Sequence, residues 1–199
     1  MPKPDVSEER TAQIIEAAVT AFSRLGFDRT RMDDIAQEAG VSKGTLYLYF
    51  NSKDEIITAV LDQFLNEEMA DFAAHLADPG PVSEKLRGII LQMMADTEAM
   101  MSRYLSVWLE FYAVASREGL LRTKMQQFMQ QFVTLFAALL QEGVDKGEFR
   151  PVVVHDVALV MMAQLEGFLL LWAVDPAAVN LMVATETAVD LMLYGLKQT

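Results

Sequence analysis

Apolar residues recur along this chain at three- and four-residue spacing, and no stretch alternates apolar with polar as a strand would. Glycine, proline and capping residues cut that pattern into about nine helices, so the expected class is all-α. The first helix spans about 7–25, with Ile14, Ala18, Phe22 and Leu25 at helical spacing, and stops at Gly26. Two short helices follow, one ending near Ala39 and one over about 43–50. Ser52 and Glu55 have capping-box spacing and open a helix reaching about 76. Asp78-Pro79-Gly80-Pro81 is the clearest breaker. Beyond it the pattern predicts helices over 82–101, 103–116, 121–145, 155–174 and 177–197.

The short pair carries the most information. Gly40 sits where the chain must reverse, and glycine enters left-handed backbone space without steric cost. Ser42 is a good N-cap for the helix that follows. Leu46 and Phe50 are four apart and share the face assigned to the core. Gly44, Thr45 and Leu48 point the other way, Lys43 opens the helix, and Tyr47 and Tyr49 flank it. This face suits a DNA groove. The helix start favours phosphate, Gly44 permits close approach, and Lys43, Thr45, Tyr47 and Tyr49 supply donors. Contact with a thymine methyl would account for an exposed Leu48. From Val41 to Lys53 there are two lysines and no acid, in a chain of net charge −12.

The flank reads Ile14-Ile15-x-Ala17-Ala18, Phe22, Gly26-Phe27, Thr30, Met32 and Asp34-Ile35-Ala36. It continues Ala39-Gly40-Val41-Ser42-Lys43-Gly44-Thr45-Leu46-Tyr47-x-Tyr49-Phe50-x-Ser52-Lys53-Asp54-Glu55. Over about residues 10–60 this closely resembles the N-terminal domain of TetR-family transcriptional regulators. The resemblance implies a phosphate-contacting cap at Thr30 and recognition-helix contacts from Ser42, Lys43, Gly44, Thr45, Tyr47 and Tyr49. It also implies a backbone contact from Lys53, homodimers on a palindromic operator, and release when a small molecule enters the C-terminal domain. Leu48 departs from the polar or aromatic residue common at that position, so base preference there is open.

Composition narrows the alternatives. Hydrophobic residues make up 52% of the 199, and mean hydropathy is +0.20, which calls for a buried interface or pocket. There is no cysteine, which removes disulfide scaffolds and fits a reducing, cytoplasmic setting. The first residues carry no signal-peptide pattern. The apolar runs around Gln164 and Glu166 fall short of the about 18 residues a membrane span needs, so none is expected. Residues 56–199 hold most of the excess acid and are a poor DNA surface. The expected division is 1–52 as the helix-turn-helix domain and 53–199 as the effector and dimerisation domain, with the helix from 53 as connector.

The last two predicted helices are apolar nearly all round, and such helices must be covered all round. A two-fold dimer built as a four-helix bundle would cover them, with Leu165, Phe168, Leu169, Trp172, Val189, Met192, Leu193 and Leu196 as candidate interface. Methionines and aromatics between 93 and 136 could line a site for a small hydrophobic or aromatic effector, though such stripes also make plain core. The candidates are Met94, Trp108, Phe111, Tyr112, Met125, Phe128 and Met129, with Met162 and Glu166. Glu110 and Glu166 sit in apolar runs and would receive a cation or pair with Arg103, Arg117 or Arg122. No catalytic, metal or cofactor site is expected. The sequence therefore reads as a ligand-responsive, DNA-binding repressor. The alternative is a helical ligand-binding or adaptor protein with a vestigial DNA-binding domain.

Overall fold

The computed structural model describes the backbone of residues 6–76, 80–116 and 119–197, and side chains there except at 6, 66–76 and 96–103. Eight helices occur among the described residues: α1 Val6–Leu25, α2 Met32–Glu38, α3 Lys43–Tyr47, α4 Lys53–Leu76, α5 Val82–Ala115, α6 Leu120–Asp145, α7 Val154–Val174 and α8 Leu181–Leu196. The stretches read as 82–101 and 103–116 form the single α5, because residues 100–104 hold neither glycine nor proline to stop a helix. In the 78–81 breaker, Asp78 and Pro79 lie outside the described residues. The final helix begins later than expected, at Leu181. Asp175 Oδ1 first accepts the amides of Ala177 and Ala178 in a turn, and Asn180 then caps α8 through the amide of Val183.

The chain forms two compact units, Met1–Glu67 with Met100–Lys124 and Glu68–Ala99 with Met125–Thr199. The 1–52 stretch lies wholly in the first. Its core joins Ile14, Ala18 and Phe22 of α1 to Ile35 of α2, Leu46 of α3, Ile56 and Leu61 of α4 and Phe111 of α5, all with essentially no exposed surface. Edge-on rings connect these helices, Phe22 to Phe27 at 4.9 Å and Phe27 to Phe111 at 5.2 Å. Tyr104 Oη donates to Glu16 Oε1 at 3.0 Å, and Lys124 pairs with Asp62 at 2.5 Å.

The second unit centres on Leu86 and Ile89 of α5, Phe136 and Leu140 of α6, Phe149, Ala158 of α7 and Leu181 of α8. Glu148 caps α5 by accepting the amides of Val82 and Ser83 at 2.9 and 3.2 Å. On α8, residues 181, 185, 189 and 193 form one buried stripe at four-residue spacing. Thr185 lies on it, 1% exposed, and its hydroxyl has no hydrogen-bond partner among the described residues. Thr185→Val keeps the shape and removes the stranded hydroxyl, so it is expected to raise stability by about 1 kcal/mol, read as a higher Tm by circular dichroism.

The named interface residues divide by burial. Leu169, Val189, Leu193 and Leu196 are buried in the chain's own core, while Leu165, Phe168, Trp172 and Met192 are half-buried. A helix apolar on every side carries no sequence signal for which stripe turns inward. The exposed apolar residues are Leu159, Val160, Leu170, Leu171 and Val174 on α7, with Val183, Leu191 and Tyr194 on α8. By length and composition alone α7 is apolar enough to cross a membrane, a test that core helices of soluble proteins also pass, and 22% of its most apolar window is buried.

Candidate nucleic-acid interface

The corner between α2 and α3 is built by local chemistry. Gly40 takes φ +64, the left-handed value anticipated for it. The Val41 amide donates back to Ala36 O at 3.0 Å, closing the end of α2. Gln13 of α1 reaches across and donates Nε2 to Ala39 O at 2.8 Å, a brace that no local pattern announces. Ser42 caps α3 by accepting the Thr45 amide at 3.0 Å, and its Oγ also lies 2.8 Å from Thr45 Oγ1.

Only Lys43–Tyr47 is helix, but the turn continues: Leu48 N donates to Thr45 O, and Tyr49 and Phe50 N both donate to Leu46 O. Leu46 and Phe50 are buried as expected, at 0% and 5% exposed. The opposite face is open. Ser42, Lys43, Gly44 and Tyr47 are exposed, Thr45 and Tyr49 are half-exposed, and Leu48 is 82% exposed. A Cβ on Gly44 would meet only Ser42 Oγ, at 3.8 Å, so the fold itself does not demand a glycine there.

Two residues implied by the resemblance also make hydrogen bonds within the fold. The Thr30 hydroxyl is buried and donates to Gly26 O at 2.7 Å, so it is not available to phosphate in this conformer. Arg31 is the residue at the start of α2, and its amide donates to Asp34 Oδ2 at 2.8 Å. Lys53 is half-exposed, and its ammonium donates to Phe27 O and Asp28 O at 2.5 and 3.2 Å, tying α4 to the α1–α2 turn.

The same turn is gripped from α5. Glu110 accepts the Phe27 amide at 2.5 Å, so this carboxylate serves a backbone donor. Gly26, at φ +78, makes room for it; a Cβ there would fall 2.6 Å from Glu110 Oε1. Of the arginines weighed as partners, Arg103 and Arg117 lie outside the described side chains.

On the exposed face, Lys43 Nζ pairs with Asp33 Oδ1 at 2.7 Å. The hydrogen bond to Asp33, reinforced by its charge, holds the lysine above its ordinary pKa. Neighbouring Asp34 points the other way, to Arg31, so the two acids divide their roles.

The candidate effector residues fall out differently from their sequence grouping. Trp108 and Phe111 are buried in the first unit's aromatic cluster, with Tyr112 beside Trp108 at 5.6 Å. Met94, Met125, Phe128 and Met162 are buried core, Met129 is 38% exposed and Glu166 half-buried. Three cavities among the described residues are lined by other side chains. One of about 560 Å³ is lined by Phe27, Lys53, Ile57, Val114 and Leu121 among others. One of about 440 Å³ runs between α7 and α8 beside Val160 and Leu191, and one of about 10 Å³ lies beside Ile90, Phe168 and Thr185. Large flexible side chains at helical spacing fill core as readily as they line a void, so the sequence could not separate the two.

An all-helical chain that presents a capped, acid-free helix on a helix-turn-helix corner defines a class of DNA-binding regulators. Comparison with known proteins agrees. The family description "Bacterial regulatory proteins, tetR family" matches residues 14–60, and "BetI-type transcriptional repressor, C-terminal" matches 82–192. The chain belongs to the TetR family of transcriptional regulators. It is 35% identical over 150 residues to the uncharacterized HTH-type transcriptional regulator YfiR of Bacillus subtilis, spanning 73% of this chain and 70% of that one. It is 31% identical over 156 residues to the HTH-type transcriptional repressor KstR2 of Mycolicibacterium smegmatis, spanning 74% and 71%. A TetR transcriptional regulator from Chloroflexus aurantiacus shares the fold at TM-score 0.83 and 21% identity, over 97% of this chain and 98% of that one. FadR from Bacillus subtilis, solved with stearoyl-CoA, shares it at TM-score 0.72 and 22% identity, over 93% and 98%.

Proposed function

We propose that this regulator is a cytoplasmic repressor that binds a palindromic operator as a homodimer and leaves it when a small hydrophobic molecule binds the C-terminal unit. The observation that carries the DNA reading is the 42–49 surface: Leu46 and Phe50 anchor it from below, and Leu48 stands 82% exposed beside Lys43 and Gly44. A large exposed leucine beside a glycine the fold does not require fits a surface that meets another molecule. Residues 42–45, 47–49 and Lys53 form the proposed contact set. In this reading Thr30 acts indirectly, by fixing the start of α2.

Dimerisation is supported by the uncovered faces of α7 and α8, where Val160, Leu171, Val174, Leu191 and Tyr194 would meet a second copy. The dimer sets two copies of α3 about 34–36 Å apart, one turn of duplex. The effector reading draws on the stearoyl-CoA complex of the FadR relative. In this reading the ligand rearranges the buried Met94, Met125, Phe128 and Met162. It therefore selects a second conformer and weakens DNA binding through its preference for that conformer.

Fluorescence anisotropy against salt tests the contact set. Lys43→Ala is expected to weaken binding to every duplex and to reduce the salt slope by about one. Leu48→Ala is expected to leave that slope unchanged and to cost about 1–3 kcal/mol of sequence preference. Normal binding by Lys43→Ala at all salt concentrations rules the arrangement out.

A further inference from the structure

Asp33 is the acid that intrudes on the α3 face. The run from Val41 to Lys53 contains none, yet Asp33 extends from the first turn of α2 and holds the Lys43 ammonium at 2.7 Å. α2 does not need it for capping, since Asp34 accepts the Arg31 amide. Stability does not explain the pair either. Both side chains are well exposed, 59% for Lys43 and 63% for Asp33, and ion pairs in that setting contribute little to folding. Between Val41 and Ser52, Lys43 is the only cation, so the pair neutralises the one full positive charge at the start of α3.

We propose that Asp33 is a built-in competitor for DNA phosphate, which occupies Lys43 in the free protein and lowers affinity for every duplex. This rests on the DNA-binding reading above. A phosphate that takes Lys43 must displace the Asp33 carboxylate or sit beside it, and a second negative charge there repels the backbone. The penalty is independent of base sequence, because phosphates carry no sequence information. As a share of the total affinity it weighs most where phosphate contact supplies nearly all of it, in non-specific binding. Asp33 thereby holds down adhesion to non-operator DNA, and the base contacts of residues 45–48 are left to decide where the protein stays.

The test uses a labelled 30-base-pair duplex of random sequence and the full chain. At about 50 mM salt, Asp33→Asn is expected to bind about fivefold tighter than the parent, with the gain shrinking as salt rises. In a Lys43→Ala background the same substitution should gain less than about twofold, because its action runs through the lysine. Asp33→Glu should bind as the parent does. Unchanged or weaker binding by Asp33→Asn overturns the proposal, and so does an equal gain with and without Lys43, which would make Asp33 a diffuse charge. If the parent binds no duplex even at low salt, the DNA reading fails first and this proposal with it.

Discussion

Leu46→Ala is expected to abolish DNA binding and to destabilise the N-terminal unit by about 2–5 kcal/mol. α3 has only five helical residues and cannot stand alone; isolated helices need about 12–15. It is held because Leu46, fully buried, and Phe50, 5% exposed, anchor it in the core beside α2. Truncating Leu46 leaves a cavity under the helix that must present Lys43, Thr45 and Leu48 together. The control is Leu48→Ala, the same chemical change two residues along. Leu48 is 82% exposed, so its truncation should leave Tm within about 1 °C of the parent and affect only sequence preference. Circular dichroism melting with anisotropy on both variants checks the contrast. Equal Tm losses would mean that the inward and outward faces of α3 are misassigned.

Gly143→Ala is expected to be the most damaging single-methyl change in the C-terminal unit, costing about 3 kcal/mol or more. Gly143 is buried on α6, and a Cβ there would lie 2.2 Å from Phe149 Cδ2, well inside contact distance. Phe149 cannot retreat. It is 2% exposed, and its own amide and that of Glu148 both donate to Gly143 O, at 3.1 and 2.9 Å. The next residue, Arg150, donates its amide to Leu196 O and its Nε to Gly195 O, so a displaced Phe149 pulls on the end of α8. The proposed dimer face lies on that helix. Sedimentation velocity should therefore show weaker self-association in Gly143→Ala along with its lower Tm. An unaltered Tm would mean the corner relaxes more easily than its packing implies.

The sequence was most legible where local chemistry decides the backbone. Gly40 and Ser42 announce the corner through a left-handed stop and an oxygen cap, and both act as their residue types predict. Leu46 and Phe50 separate from Leu48 by periodicity alone, because α3 has one apolar and one open face. Legibility ended where partners are distant or faces equivalent. Glu110 accepts an amide 83 positions away, and Glu148 caps a helix that starts 66 residues earlier; backbone donors leave no mark in side-chain spacing. On α7 the apolar residues surround the axis, so packing sets which stripe turns inward: Leu169 is buried, and Leu165, Phe168 and Trp172 are half-buried. Thr30 stands two residues before α2, and its hydroxyl donates to Gly26 O on the inner side of the turn, a partner that spacing does not announce.

The most direct measurement is selection of bound duplexes from a random pool by the purified chain. The account predicts recovery of an inverted repeat whose half-site centres lie about one helical turn apart, with two protomers per duplex by light scattering. Recovery of no enriched sequence, or of a single half-site bound by a monomer, would contradict it.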